Sequence, residues 1–116
     1  MDKVRIAVAT SDGVIVDKHF GKAETFYILE ADDADVCEIE IRHVKAACEM
    51  GEHDDNRIRE NLGRLSDCDC LIASRIGYAA GNVADSLGIK VFELPGDIVK
   101  AVDTVIKYIK IQNLFS

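Results

Sequence analysis

Two apolar segments, residues 25 to 30 and 36 to 43, are separated by little more than the acidic turn Asp32-Asp33-Ala34-Asp35. A connection this short cannot carry a crossover, so the two segments must pair as antiparallel strands. Ahead of them lie a third strand candidate, residues 3 to 9, and the short apolar run Val14-Ile15-Val16. In the strand at residues 3 to 9, Val4, Ile6 and Val8 share one side while the small Ala7 and Ala9 share the other, where a helix can approach closely; both faces are expected to be covered. In residues 36 to 43, Val36, Glu38, Glu40 and Arg42 alternate with Cys37, Ile39, Ile41 and His43. That pattern predicts an edge strand with one wet face and one buried face, on which His43 and Cys37 are structural.

The chain then changes period. Asp54-Asp55-Asn56 supplies capping residues, and Ile58, Leu62 and Leu65 recur at helical spacing over about three turns. Cys70-Leu71-Ile72-Ala73 is short, apolar and bounded by polar residues, as a fully buried strand should be. A second helix is expected from Tyr78 to Leu87 with Gly88 as its C-terminal cap. Lys90 to Leu94 forms a fifth strand, and Asp97 caps a last helix whose Ile98, Val102, Val105, Ile106 and Ile109 make an apolar stripe. The order β-β-β-α-β-α-β-α predicts one domain over residues 1 to 116. It is an α/β fold with a five-stranded mixed sheet, three antiparallel strands followed by right-handed parallel βαβ units, and helices on both faces.

Such a sheet brings together what the sequence keeps apart. If the fourth strand lies parallel beside the first, three loops meet at one sheet edge: residues 10 to 23, 44 to 54 and 74 to 78. Crevices of this kind are the usual ligand sites of mixed sheets. His19 lies in the first loop, within Val16-Asp17-Lys18-His19-Phe20-Gly21. His43, Cys48 and His53 follow with four residues between each. Thiolate and imidazole donors together suit zinc, copper or iron-sulfur clusters. Cys68 and Cys70 begin the buried strand and are expected to be core residues, since free cysteine behaves as a small hydrophobe. Arg75-Ile76-Gly77-Tyr78 leads from strand to helix, where backbone N-H groups favour an anion, with Gly77 supplying an unusual backbone angle.

Charge and composition narrow the classes. A formal charge of −7 disfavours a nucleic-acid binder, which must neutralise phosphates. No apolar run is long enough to span a membrane and no signal-peptide pattern opens the chain, so a cytoplasmic protein is expected. Four irregularly spaced cysteines are then free thiols or ligands rather than disulfides. No nucleophile, base and orienting group can be assembled, and the chain reads as a binding protein rather than an enzyme.

Ile6-Ala7-Val8-Ala9-Thr10, Asp17-Lys18-His19-Phe20-Gly21, the Cys48 loop ending in His53-Asp54, Ser66-Asp67-Cys68-Asp69, Arg75-Ile76-Gly77 and Gly88-Ile89-Lys90-Val91-Phe92 follow one another in order. The series resembles the dinitrogenase iron-molybdenum cofactor biosynthesis family, which includes NifX, NafY and the C-terminal domain of NifB. The resemblance implies a ribonuclease H-like fold and transient binding of an iron-sulfur cluster, or of the iron-molybdenum cofactor or its precursor, passed between metallocluster donor and acceptor proteins. It implies His19, Cys48 and His53 as ligands, with Phe20, Gly21, Lys22, Arg75 and Gly77 around the cofactor. Two other classes stay open: a mononuclear zinc or regulatory metal-binding module using the same three ligands, and a nuclease, for which Asp12 and Asp17 lie in the first loop but no strand-borne carboxylate group exists.

Overall fold

The computed structural model describes residues 1–49 and 52–115. In chain order its elements are β1 (Val4–Ala9), β2 (Ile15–Val16), β3 (Thr25–Ala31), β4 (Val36–His43), β5 (Cys48–Glu49), β6 (Glu52–His53), α1 (Asp55–Gly63), β7 (Cys70–Ala73), α2 (Tyr78–Ser86), β8 (Lys90–Glu93), β9 (Gly96–Asp97) and α3 (Ile98–Leu114). Five strands form one sheet in the order β4-β3-β1-β7-β8. β3 pairs antiparallel with both β1 and β4, whereas β7 pairs parallel with both β1 and β8. This is the mixed sheet that the short acidic turn and the later change of period require.

The alternation in β1 separates two cores. Ala7 and Ala9, with Phe26, Ile28, Leu71 and Ala73, meet Ile58 and Leu62 of α1 and Ala80 and Ala84 of α2. Val4, Ile6 and Val8, with Leu29 and Ile72, meet Ile98, Val102, Val105 and Ile106 of α3. β7, central and covered on both faces, is buried at all four positions. Each large aliphatic chain so buried contributes about 1.5–3 kcal/mol.

The helix ends follow local chemistry. The Asp54 carboxylate accepts hydrogen bonds from the backbone N-H groups of Asn56 and Arg57 at the start of α1, and that of Asp97 accepts one from Val99 at the start of α3. α2 stops one residue sooner than expected, and Gly88 turns the chain with φ of 76°. α1 ends at Gly63, so Leu65 lies beyond it in a tighter turn, its N-H donating to the Leu62 carbonyl; it is still fully buried. Among the described residues no helix is long and apolar enough to cross a membrane.

β4 is the edge strand expected, but it has no buried face. Ile28 pairs with Glu40 and Leu29 with Glu38, leaving Ile39 as the extra residue of a bulge. The bulge breaks the two-residue period. Cys37 therefore stands opposite Glu30 and Ile41 opposite Tyr27, on different faces of the sheet. Ile39 and Ile41 are 39% and 41% exposed. Cys37 and His43, expected to be buried structural side chains, are also exposed, because the strand closes the sheet with a neighbour on one side only.

Candidate functional site

The first loop is fixed before it reaches His19. Thr10, fully buried, donates from its hydroxyl to the Ile15 carbonyl at 2.6 Å. The Asp12 carboxylate accepts from the N-H groups of Val14 and Ile15, which holds its carboxyl below the usual carboxylate range. Asp17 accepts from the Ser11 N-H at 3.0 Å and from the Ser11 hydroxyl at 2.5 Å, closing the loop two residues ahead of the histidine. β2 adds a small antiparallel pairing with β9. Asp12 and Asp17 thus spend their carboxylates on loop structure.

His19, Phe20 and Gly21 then do three different things. Phe20 is 1% exposed and packs 5.9 Å from the ring of Phe26, ring centre to ring centre. Expected among the cofactor contacts, it is instead the apolar anchor that pulls the segment onto the core. His19, one residue earlier, is exposed and extended, with φ −66° and ψ 144°. Gly21 lies so close to the second loop that a Cβ placed on it would sit 2.6 Å from the Cys48 sulfur and 3.0 Å from the Cys48 Cβ. Glycine is therefore what allows the half-buried thiol to lie against the histidine segment.

The third loop closes the arrangement. His19 and Arg75 form an isolated parallel bridge; the Phe20 N-H donates to the Arg75 carbonyl at 2.9 Å and the Ser74 N-H to the Lys18 carbonyl at 3.0 Å. The second loop is tied to the first by a hydrogen bond from the Val44 N-H to the Glu24 carbonyl at 2.9 Å. The three loops that topology placed at one edge do meet there. Lys22 is exposed beside this junction, and the Arg75 side chain is exposed as well. The backbone of His53 pairs with that of Cys48 across β5 and β6, while the His53 side chain lies outside the described residues. Among the described residues no three His, Cys, Asp or Glu side chains come together in a way that could hold a metal ion.

Two expectations about the strand-to-helix turn change. The Ile76 N-H does not await a ligand: it donates to the Glu93 carboxylate at 2.7 Å, so the protein's own anion occupies that place. Gly77 has ordinary extended angles, φ −67° and ψ 162°, and a Cβ there would meet nothing within 4 Å. It is a residue of convenience at the turn. Glu93 itself was not foreseen; a carboxylate at the end of β8, parallel beside the strand that feeds this turn, was the available signal.

Cys68 and Cys70 are buried as expected. Burial, then the neighbouring Asp67, pushes the Cys68 thiol up to about 12; burial, then Asp69, does the same to Cys70, to about 12. Neither supplies a thiolate near neutrality. Among the described residues, the donors at the loop edge are the half-buried Cys48 thiol and the exposed His19 imidazole, with Lys22 and Arg75 as nearby cations. That pairing of soft and borderline donors suits a sulfur-rich metal cluster more than a hard cation.

A family model described as dinitrogenase iron-molybdenum cofactor matches residues 2–108. The chain is 31% identical over 102 residues to the FeMo cofactor biosynthesis protein NifB of Frankia alni, covering 85% of this chain and 20% of that protein. With NifB of Azotobacter vinelandii it is 31% identical over 91 residues, covering 75% of this chain and 18% of that protein. The chain thus spans a fifth or less of these curated relatives. Among solved structures, an NMR structure of a Thermotoga protein described as NifB superposes with a TM-score of 0.60 at 22% identity, covering 90% of this chain and 88% of the other. A crystal structure from Methanocaldococcus jannaschii, described as a dinitrogenase, gives 0.59 at 17% identity, covering 92% and 91%. These two likenesses concern the fold.

Proposed function

The chain belongs to the dinitrogenase iron-molybdenum cofactor family, and from that premise we propose that it is a non-enzymatic carrier. It takes up an iron-sulfur cluster, or an iron-molybdenum type cofactor or precursor, and hands it from a donor to an acceptor protein of metallocluster biosynthesis. His19 supplies an imidazole, Cys48 a thiolate and His53 a second imidazole, while Lys22 and Arg75 offset the charge of an anionic cluster. The observation that carries this reading is the close approach of Gly21 to Cys48, which sets the thiol beside the segment that bears the exposed His19, on loops tied to a rigid sheet. Few ligands at an open edge suit a cargo that must be released.

The strand order, three antiparallel strands and then two parallel ones, supports a ribonuclease H-like architecture. Nuclease activity is disfavoured by the engagement of Asp12 and Asp17 within their own loop. Four free cysteines are in keeping with a cytoplasmic location.

Anaerobic titration with reconstituted iron-sulfur cluster or isolated cofactor tests the proposal, following visible absorbance and bound iron. Saturable binding is expected for the wild type, with weakening by about tenfold or more in His19→Ala and in Cys48→Ala. Wild-type protein that takes up no iron, or two variants that bind as it does, would refute it. Zinc as the sole metal in protein purified without oxygen would point to the regulatory metal module instead.

A further inference from the structure

The sheet ends on two unlike edges. β8 is four residues long, whereas β4 runs for eight and is the longest of the five strands. Among the described residues nothing pairs with the outer side of β4. A row of backbone donors and acceptors there is open to another strand. Val36, Ile39 and Ile41 each leave more than a third of their area exposed along it. The strand also carries Glu38, Glu40 and Arg42, and charges on an edge restrict which strand can join it and in what register. Glu40 pairs along its own strand with Arg42, whose two outer nitrogens donate to Asp67 at 2.7 and 2.8 Å.

We propose that β4 is the seat of an isologous dimer, in which two copies of this chain join their edges antiparallel into one continuous sheet. A two-fold axis normal to the sheet keeps each side chain on its own face, and directly opposed residues share a face. The dimer must therefore centre on one residue facing itself, never between two neighbours. Val36, Cys37 and His43 lie too near the strand ends to overlap more than three residues, and Ile39 is the bulge, without a regular partner. Centring on Glu38, Glu40 or Arg42 would set like charges against each other. Ile41 remains. Centred there, Ile41 meets Ile41 of the second copy, and Glu40 of each copy stands opposite Arg42 of the other. Counting the bulge as one step, Glu38 stands opposite His43 of the second copy. Directly opposed residues are about 5 Å apart at Cβ, against about 6.6 Å for alternate residues of one strand. Glu40 therefore exchanges its own Arg42 for that of the second copy while Arg42 keeps Asp67, and no charge is stranded. The interface uses neither His19 nor Cys48, so it stands independently of the carrier reading.

Analytical sedimentation of the full chain under reducing conditions, from about 5 to about 500 μM, tests the dimer. A reversible passage from the monomer to twice its mass is expected. Glu40→Lys, which sets a cation opposite Arg42, and Ile41→Lys, which sets two cations at the axis, should each raise the dissociation constant about tenfold or more. Val91→Lys, on the other edge, should leave it unchanged. All three side chains are exposed, and matching thermal melts of the dilute proteins would exclude unfolding as a cause. Register is read with a short bis-maleimide in a Cys37→Ser, Cys48→Ser background. Ile41→Cys should link two copies, whereas Glu38→Cys, whose copies lie about 13 Å apart along the strands in this register, should not. Monomer throughout the concentration range would overturn the proposal. So would a dimer that survives both Glu40→Lys and Ile41→Lys, one lost equally in Val91→Lys, or one that Ile41→Cys fails to link.

Discussion

The two ends of β7 hold similar chemistry and treat it in opposite ways. At the start of the strand, Cys68 and Cys70 stand beside Asp67 and Asp69, and every one of these groups is neutralised or clamped. The thiols are buried and held protonated. Asp67 accepts from both outer nitrogens of Arg42 at 2.7 and 2.8 Å, and from Arg5 at 2.8 Å, which holds its carboxyl well below the usual range. At the other end, Ser74 and Arg75 grip the His19 segment by backbone alone, and the polar side chains stay outside: His19, Lys22 and Arg75 are exposed and Cys48 is half-buried. Residue type therefore does not decide which cysteine can ligate. Access to solvent and the cost of charging the thiol decide it.

The sharpest way to break the open end is to remove its anchor. Phe20→Ala should cost about 3–5 kcal/mol of stability by urea unfolding, and should release His19 from β7 because the packed ring is what fixes the segment. Next in size is thiol reactivity: at pH 8, Cys37 and Cys48 should alkylate while Cys68 and Cys70 react about a hundredfold or more slowly, read by mass spectrometry. Because folding raises the last two from 9.0 to about 12, their neutral form stabilises the fold fully below pH 9. That contribution is lost as pH rises from 9.0 toward about 12, so unfolding should become easier across that window.

Gly21→Ala should act on the open end alone. The added methyl displaces Cys48, with a cost of about 1–3 kcal/mol and cluster binding reduced as far as in Cys48→Ala; binding like the wild type would show that the close approach is incidental. Asp67→Asn acts on the sealed end and should cost about 1 kcal/mol, since the carboxylate is partly solvated. With its folded pKa depressed, Asp67 stabilises the protein above the ordinary carboxylate range and ceases to as pH falls through the lower, folded value. The wild-type advantage over Asp67→Asn should therefore shrink on acidification. Gly77→Ala should change stability by less than about 0.5 kcal/mol, since neither angle nor space there requires glycine.

What the sequence determined by itself was whatever depends on period and loop length. The four-residue acidic turn required β3 and β4 to be antiparallel. The small face of β1 announced helices on both sides, and the apolar run at Cys70 placed a buried central strand. From that topology the meeting of the three loops followed, and with it the neighbourhood of His19, Cys48 and Arg75. Tertiary structure alone decided the individual fates within that frame. The edge position of β4 left Cys37 and His43 exposed, and the bulge at Ile39 moved the side chains after it to the other face. Glu93 reached across from β8 to occupy the Ile76 N-H, and Phe20 turned inward as an anchor while Gly21 made room for a sulfur far along the chain. These outcomes depend on distances between segments remote in sequence, which local pattern does not encode.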